Sequence, residues 1–120
     1  MQQKMMELVA FLGSDKENWG QITALLKRMK WDSVVLVKNK DASEFPDYGT
    51  VIKINTEKPL LELKDELINE LKEKLTGDLE VILSIASGNG KEHMALISAL
   101  LAIPVGIRLA AFTRNGVQFL

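Results

Sequence analysis

Short apolar runs, separated by stretches with helical spacing, constrain this chain more than any other feature of its sequence. The first, Leu8-Val9-Ala10-Phe11-Leu12, has no polar residue at alternate positions and stops at Gly13. A run of this kind reads as a strand covered on both faces, which is the situation of a strand inside a parallel sheet. Val34-Val35-Leu36-Val37, Val51-Ile52-Lys53-Ile54, Leu79 to Ala86 and Ile107 to Thr113 supply four more strands. Between the first two, Trp19, Ile22, Leu25, Leu26 and Met29 fall at helical spacing and predict a helix from about Asp15 to Lys30, with Ser14 and Glu17 placed as a capping box. Leu60, Leu63, Leu67, Ile68, Leu71 and Leu75 mark one face of a second helix, opened by Pro59 and closed by Thr76-Gly77. Glu92 to Ala102 predicts a third helix. Asp41 to Gly49 contains Pro46 and Asp47 but no stripe, and reads as a loop with at most one turn. Asn115-Gly116 supplies the positive φ values of a type I′ hairpin, so Val117 to Leu120 returns antiparallel. The expected fold is α/β: a Rossmann-like, doubly wound, mostly parallel sheet of about six strands with a C-terminal antiparallel hairpin.

Composition narrows the functions open to such a domain. The 120 residues suit one domain, read over residues 1–120, with enough chain for an ordinary core. Fifteen basic residues nearly balance sixteen acidic ones without long blocks, so the charge distribution predicts no direct binding to a nucleic-acid backbone. Without cysteine there is no disulfide framework, thiolate nucleophile or cysteine zinc site, and a cytoplasmic location is expected. The start, Met1-Gln2-Gln3-Lys4-Met5-Met6, leads into a run too short to span a bilayer and lacks a signal-peptide pattern, so no membrane association is expected.

In a doubly wound sheet, ligands gather at the carboxyl ends of the strands, beside the point where strand order reverses. Two turns are expected there: Gly13-Ser14-Asp15-Lys16 and Ser87-Gly88-Asn89-Gly90-Lys91. Glycines at 88 and 90 let backbone N–H groups approach a ligand, and the helix that follows adds unsatisfied donors and partial positive charge. Asn89 and Glu92 have capping-box spacing, while Lys91 could meet a phosphate. The bland alternative is a tight turn between a buried strand and a buried helix. The turn has neither P-loop spacing nor the Gly-x-Gly-x-x-Gly dinucleotide pattern, since position 93 is His. Ser14 could bond a phosphate or a 2′-oxygen, or serve only as an N-cap. Asp15 and Lys16 read as solvated first-turn residues, Lys16 doubling as a second phosphate partner. His93 lacks neighbours at ligand spacing, so it reads as a rim residue or an acid/base and not as a metal ligand. No metal or other cofactor is expected. Trp19 and Met94 read first as packing residues and second as surfaces for a base to stack on.

The order of elements and the run Ile82-Leu83-Ser84-Ile85-Ala86-Ser87-Gly88-Asn89-Gly90-Lys91-Glu92-His93-Met94-Ala95-Leu96 resemble CARF domains, the CRISPR-associated Rossmann-fold sensors. Gly13-Ser14, Ser87-Gly88, Lys91, Met94 and the Asn115-Gly116 hairpin fall on family features, with Asn89 where the family carries its second glycine. The resemblance implies a homodimer that binds a cyclic oligoadenylate or related adenine nucleotide across its two-fold axis. The ligand-binding set it implies is Gly13, Ser14, Ser87, Gly88, Asn89, Gly90, Lys91 and His93. It also implies a sensor domain without its usual effector domain. Some relatives cleave the ring without metal, and Ser14 and Lys91 are the positions that would then stabilise charge. A third reading is a Rossmann-like dimerisation module with no nucleotide ligand.

Overall fold

The computed structural model describes residues 6–76 and 80–120. The readings made for Met1 to Met5, for Gly77 as helix terminator and for Leu79 as a strand start lie outside the described residues. Strand β1 is Glu7–Leu12, α1 is Trp19–Arg28, β2 is Ser33–Lys38 and β3 is Thr50–Lys53. Helix α2, Leu60–Lys74, is followed by β4 at Glu80–Ser84, α3 at Gly90–Ala102, β5 at Gly106–Thr113 and β6 at Gly116–Phe119. The sheet runs in the order β3-β2-β1-β4-β5-β6, parallel throughout except for the β5–β6 hairpin. This is the doubly wound, six-stranded α/β architecture expected from the sequence.

The apolar run of β1 is continuous because both of its faces are covered. Val9 and Phe11 join Val35, Val37, Leu83 and the inner faces of α2 and α3 in one core. Leu8, Ala10 and Leu12 point the other way, against Ile22 and Leu25 of α1, with Ala42 and Phe45 of the β2–β3 connection. Chain order then creates the functional geometry. The chain leaves β1 through α1 to reach β2 and β3 on one side, and returns through α2 to β4 on the other. The connections after β1 and β4 therefore diverge, leaving a crevice above the carboxyl ends of these adjacent strands.

The opposite rim is closed by a buried carboxylate. Glu7, 1% exposed, accepts from Ser33 Oγ at 3.0 Å, from Thr76 N–H at 3.2 Å and from Thr76 Oγ1 at 3.1 Å. It ties the end of α2 to the beginnings of β1 and β2.

Several boundaries differ from the sequence reading. Strand β4 ends at Ser84 rather than Ala86, because the chain bends out of the sheet into the Ser87–Asn89 turn. Pro59 stands just before α2 and not as its first residue. The segment read as one helix from Asp15 is a 3-10 turn at Lys16–Asn18 followed by α1. Ser14 does not cap it: its hydroxyl is engaged elsewhere, and Glu17 is exposed.

Leu67 is fully buried between α2 and the sheet. Leu67→Ala should lower stability by about 2–5 kcal/mol, read as a lower urea midpoint with an unchanged m-value.

Candidate functional site

The turns after β1 and β4 touch. Gly13 N–H donates to Ser87 Oγ at 2.8 Å, and a Cβ at Gly13 would lie 2.7 Å from Gly88 Cα. Only a residue without a side chain permits that approach. Gly88 has φ +106°, and a Cβ there would also strike the Phe11 ring at 2.8 Å. Both constraints belong to the meeting of two loops 75 residues apart in sequence, whereas Gly90 has open space around it and an ordinary φ.

Asp15 holds the two turns together. Its Oδ1 accepts from Ser87 Oγ at 2.7 Å and from Gly88 N–H at 2.9 Å, and its Oδ2 accepts from Asn18 Nδ2 at 2.8 Å. Burial by itself would raise the Asp15 pKa. The hydrogen bonds from Asn18, Ser87 and Gly88 outweigh it and hold the carboxyl below the ordinary aspartate value. The expectation that Asp15 is a solvated first-turn residue is therefore corrected. An internal carboxylate, not a free backbone donor, occupies the Gly88 N–H.

Beside this clamp lies a second group of polar side chains. Ser14 Oγ donates to Asp41 Oδ2 at 2.8 Å and accepts from Asn39 Nδ2 at 3.2 Å. Asn39, 6% exposed, also donates to Glu92 Oε2 at 3.0 Å. Its backbone N–H bonds the Leu12 carbonyl, so the end of β2 is pinned to the end of β1. Glu92 is 2% exposed. Its Oε1 accepts from Asn89 N–H at 2.9 Å while the Asn89 side chain accepts from Glu92 N–H at 2.9 Å, which is the expected capping box at the start of α3. One carboxylate thus starts α3 and joins it to β2.

These groups enclose a cleft of about 120 Å³ lined by Ser14, Asp15, Gly88, Asn89 and Glu92. The structure brings together Gly13, Ser14, Ser87, Gly88 and Asn89 of the sequence-derived set. Of the other members, Gly90 follows as the first residue of α3 and His93 stays against the turn, whereas Lys91 is turned away. Lys91 Nζ bonds the Thr56 carbonyl at 2.9 Å in the connection between β3 and α2. Lys16 Nζ pairs with Glu44 at 2.8 Å. His93 packs edge-on against Phe11, with Nε2 2.7 Å from the Ser87 carbonyl, so Nε2 carries the proton. Met94 is 54% exposed, contrary to the packing role expected of it. Trp19 is partly buried, donating through Nε1 to the Gly13 carbonyl at 3.0 Å and meeting Phe45 edge-on.

The sequence reading gave Asn39 and Asp41 no part in a site. The signal that marks them is position: residues that follow a central parallel strand beside the switch point face the same crevice as the β1 and β4 turns. With two carboxylates and an amide along its walls, the cleft offers mainly hydrogen-bond acceptors. Such a surface suits hydroxyl or amino groups of a ligand better than a phosphate.

The sequence matches no family model and no curated protein. Among solved structures the fold is similar to Enterococcus italicus Csm6 bound to cyclic hexa-2′-fluoro-hexa-dAMP, with a TM-score of 0.58 and 15% identity over 88% of this chain. The match covers 32% of that protein, so this chain spans about a third of its length. The likeness is one of fold. Among the described residues, no helix is long and apolar enough to cross a membrane.

Two outcomes follow from the clamp. Gly13→Ala should destabilise the domain by about 1–3 kcal/mol in thermal or urea unfolding, because the added methyl must push the two turns apart. Asp15 has a lowered pKa in the folded state, so its contribution is fully present above the ordinary aspartate range and is lost as pH falls through the folded value. Urea midpoints measured across the acid range should fall less steeply for Asp15→Asn than for the unsubstituted chain. An equal slope would show that the charge does not hold the turns.

Proposed function

We propose that this chain is a CARF-like sensor domain, residues 1–120, that takes a cyclic oligoadenylate or related adenine nucleotide at the rim between β1 and β4. The observation that carries the reading is the composite cleft. Two turns from different strands are joined by the Gly13–Ser87 and Asp15–Gly88 hydrogen bonds at the switch point of the sheet. That is where ligands of doubly wound folds bind. The fold likeness to a protein bound to a cyclic oligoadenylate analogue supports the choice of ligand class.

Ser14, Asn89 and Glu92 form the polar wall that receives the sugar or base, Asn39 holds Ser14 and Glu92 in place from behind, and Gly13 and Gly88 hold the floor close. A homodimer is part of the proposal. Met94 and Leu101 are 54% and 63% exposed, and their seven-residue spacing puts them on one side of α3, the helix that begins at the cleft. An isologous pairing across that face would cover both residues and bring two clefts towards one symmetric ligand. Sensing is favoured over ring cleavage because the Lys91 ammonium is drawn to Thr56 and His93 Nε2 is committed to the Ser87 carbonyl.

Calorimetric titration with cyclic tetraadenylate, cyclic hexaadenylate and linear oligoadenylate tests the reading. Binding should weaken about tenfold for Ser14→Ala and for Asn39→Ala, which is the loss of roughly 1.4 kcal/mol apiece. No heat with any of these ligands would reject it. Sedimentation should give a dimer that Met94→Glu converts to monomer, and a Met94→Glu dimer would remove α3 as the interface.

A further inference from the structure

The acceptor-rich cleft leaves open where the negative charge of a nucleotide would go. A cavity beside it supplies an answer. It encloses about 310 Å³ at the carboxyl ends of β2 and β3 and is lined by Lys38, Asn39, Lys40, Ser43, Lys53 and Asn55, with Ile54. Asn39 belongs to this cavity and also bonds Ser14 and Glu92 of the cleft, so one residue links the two spaces.

Lys38 and Lys53 are register partners on neighbouring parallel strands. Partners in register point to the same face of a sheet, and like charges so placed repel. Here one of them is buried: the Lys38 side chain is 2% exposed. An ammonium has three N–H donors. Two of them are used within the protein, on the Phe45 carbonyl and on Asp47 Oδ1 at 2.8 Å. Asp47 is itself largely exposed and is the ion-pair partner of Lys38. Lys40 pairs with Glu57 at the surface, while Lys53 makes no ion pair among the described residues. Lys53 is thus a cation at the cavity without a carboxylate of its own, because the Asp47 whose field it shares is already bonded to Lys38. Such an arrangement is relieved by an anion placed between the strand ends.

We infer that this cavity is a phosphate-binding subsite, with Lys38 and Lys53 as the paired cations, Lys40 as a third, and Asn39 as the residue that joins it to the cleft. The inference rests on the proposed function only for the identity of the ligand; the anion site stands on the lysines. It sets the orientation of a bound nucleotide. Hydroxyl and amino groups face Ser14, Asp15 and Glu92, and phosphate lies over β2 and β3 rather than on the Gly-rich turn, whose Gly88 donor Asp15 already holds.

Inorganic pyrophosphate added to the full chain at low salt, followed by backbone amide NMR, is the direct test. The amides of Lys38, Lys53, Ile54 and Asn55 should shift and saturate. Lys53→Glu, at an exposed position that leaves the core untouched, should weaken pyrophosphate by about fivefold to tenfold, and Lys53→Arg should restore it. Sodium chloride matched in ionic strength should not reproduce the shifts. Shifts that do not saturate, or an affinity unchanged in Lys53→Glu, would overturn the subsite. The nucleotide arm separates the two proposals. If cyclic oligoadenylate binds and loses affinity in Asn39→Ala but not in Lys53→Glu, the sensor reading stands and the subsite falls. If pyrophosphate saturates these amides and no adenine nucleotide binds, the subsite stands and the ligand assignment falls.

Discussion

The Asp15 carboxylate is the interaction on which the rim of this protein depends. Two turns that belong to different crossovers must lie against each other, and each brings polar backbone to a partly buried place. Gly13 and Gly88 remove the steric obstacle, but close approach alone would strand a hydroxyl and an N–H. Asp15 accepts from both Ser87 and Gly88, and Asn18 satisfies its other oxygen. Hydrogen bonds of this charge-assisted kind are stronger than neutral ones, and leaving their buried partners unmet would cost more than the bonds contribute. Everything above the sheet is then placed relative to a fixed pair of loops.

Glu92 extends the same logic. A capping carboxylate ordinarily serves only its own helix, but here its second oxygen receives Asn39 from the end of β2. Helix α3, strand β2 and both turns are consequently one hydrogen-bonded unit, and Ser14 is held in it by Asn39 and Asp41. Charge is divided across this rim. Carboxylates gather where the chain reverses, between β1 and β4, while lysines gather over β2 and β3. A ligand that carries both hydroxyls and phosphate matches that division, whereas a simple anion matches only half of it.

How much of this was legible beforehand differs from residue to residue. The strands were readable because burial on both faces leaves a continuous apolar run, as at Leu8 to Leu12, and α2 because its leucines keep one stripe. The Asn89–Glu92 box was readable because it is local, spanning three residues. Ser14 misled because Ser followed three residues later by Glu fits a cap equally well, and only the nearness of Asp41 and Asn39 draws its hydroxyl away. Asp15 and Lys91 were assigned by charge and place in the chain, and neither says which way a side chain turns.

The sequence by itself determined the α/β class, the number and kind of elements, and the two turns on which a site could be built. These follow from period, turn chemistry and local capping, all of which act over a few residues. Tertiary structure decided which donors the turns had left to offer. Asp15 reaches Gly88 across 73 residues and Asn39 reaches Glu92 across 53, and such pairings arise from strand order rather than from spacing. The Gly-rich turn, an anion cradle when read alone, is in the folded chain a cradle already holding the protein's own carboxylate.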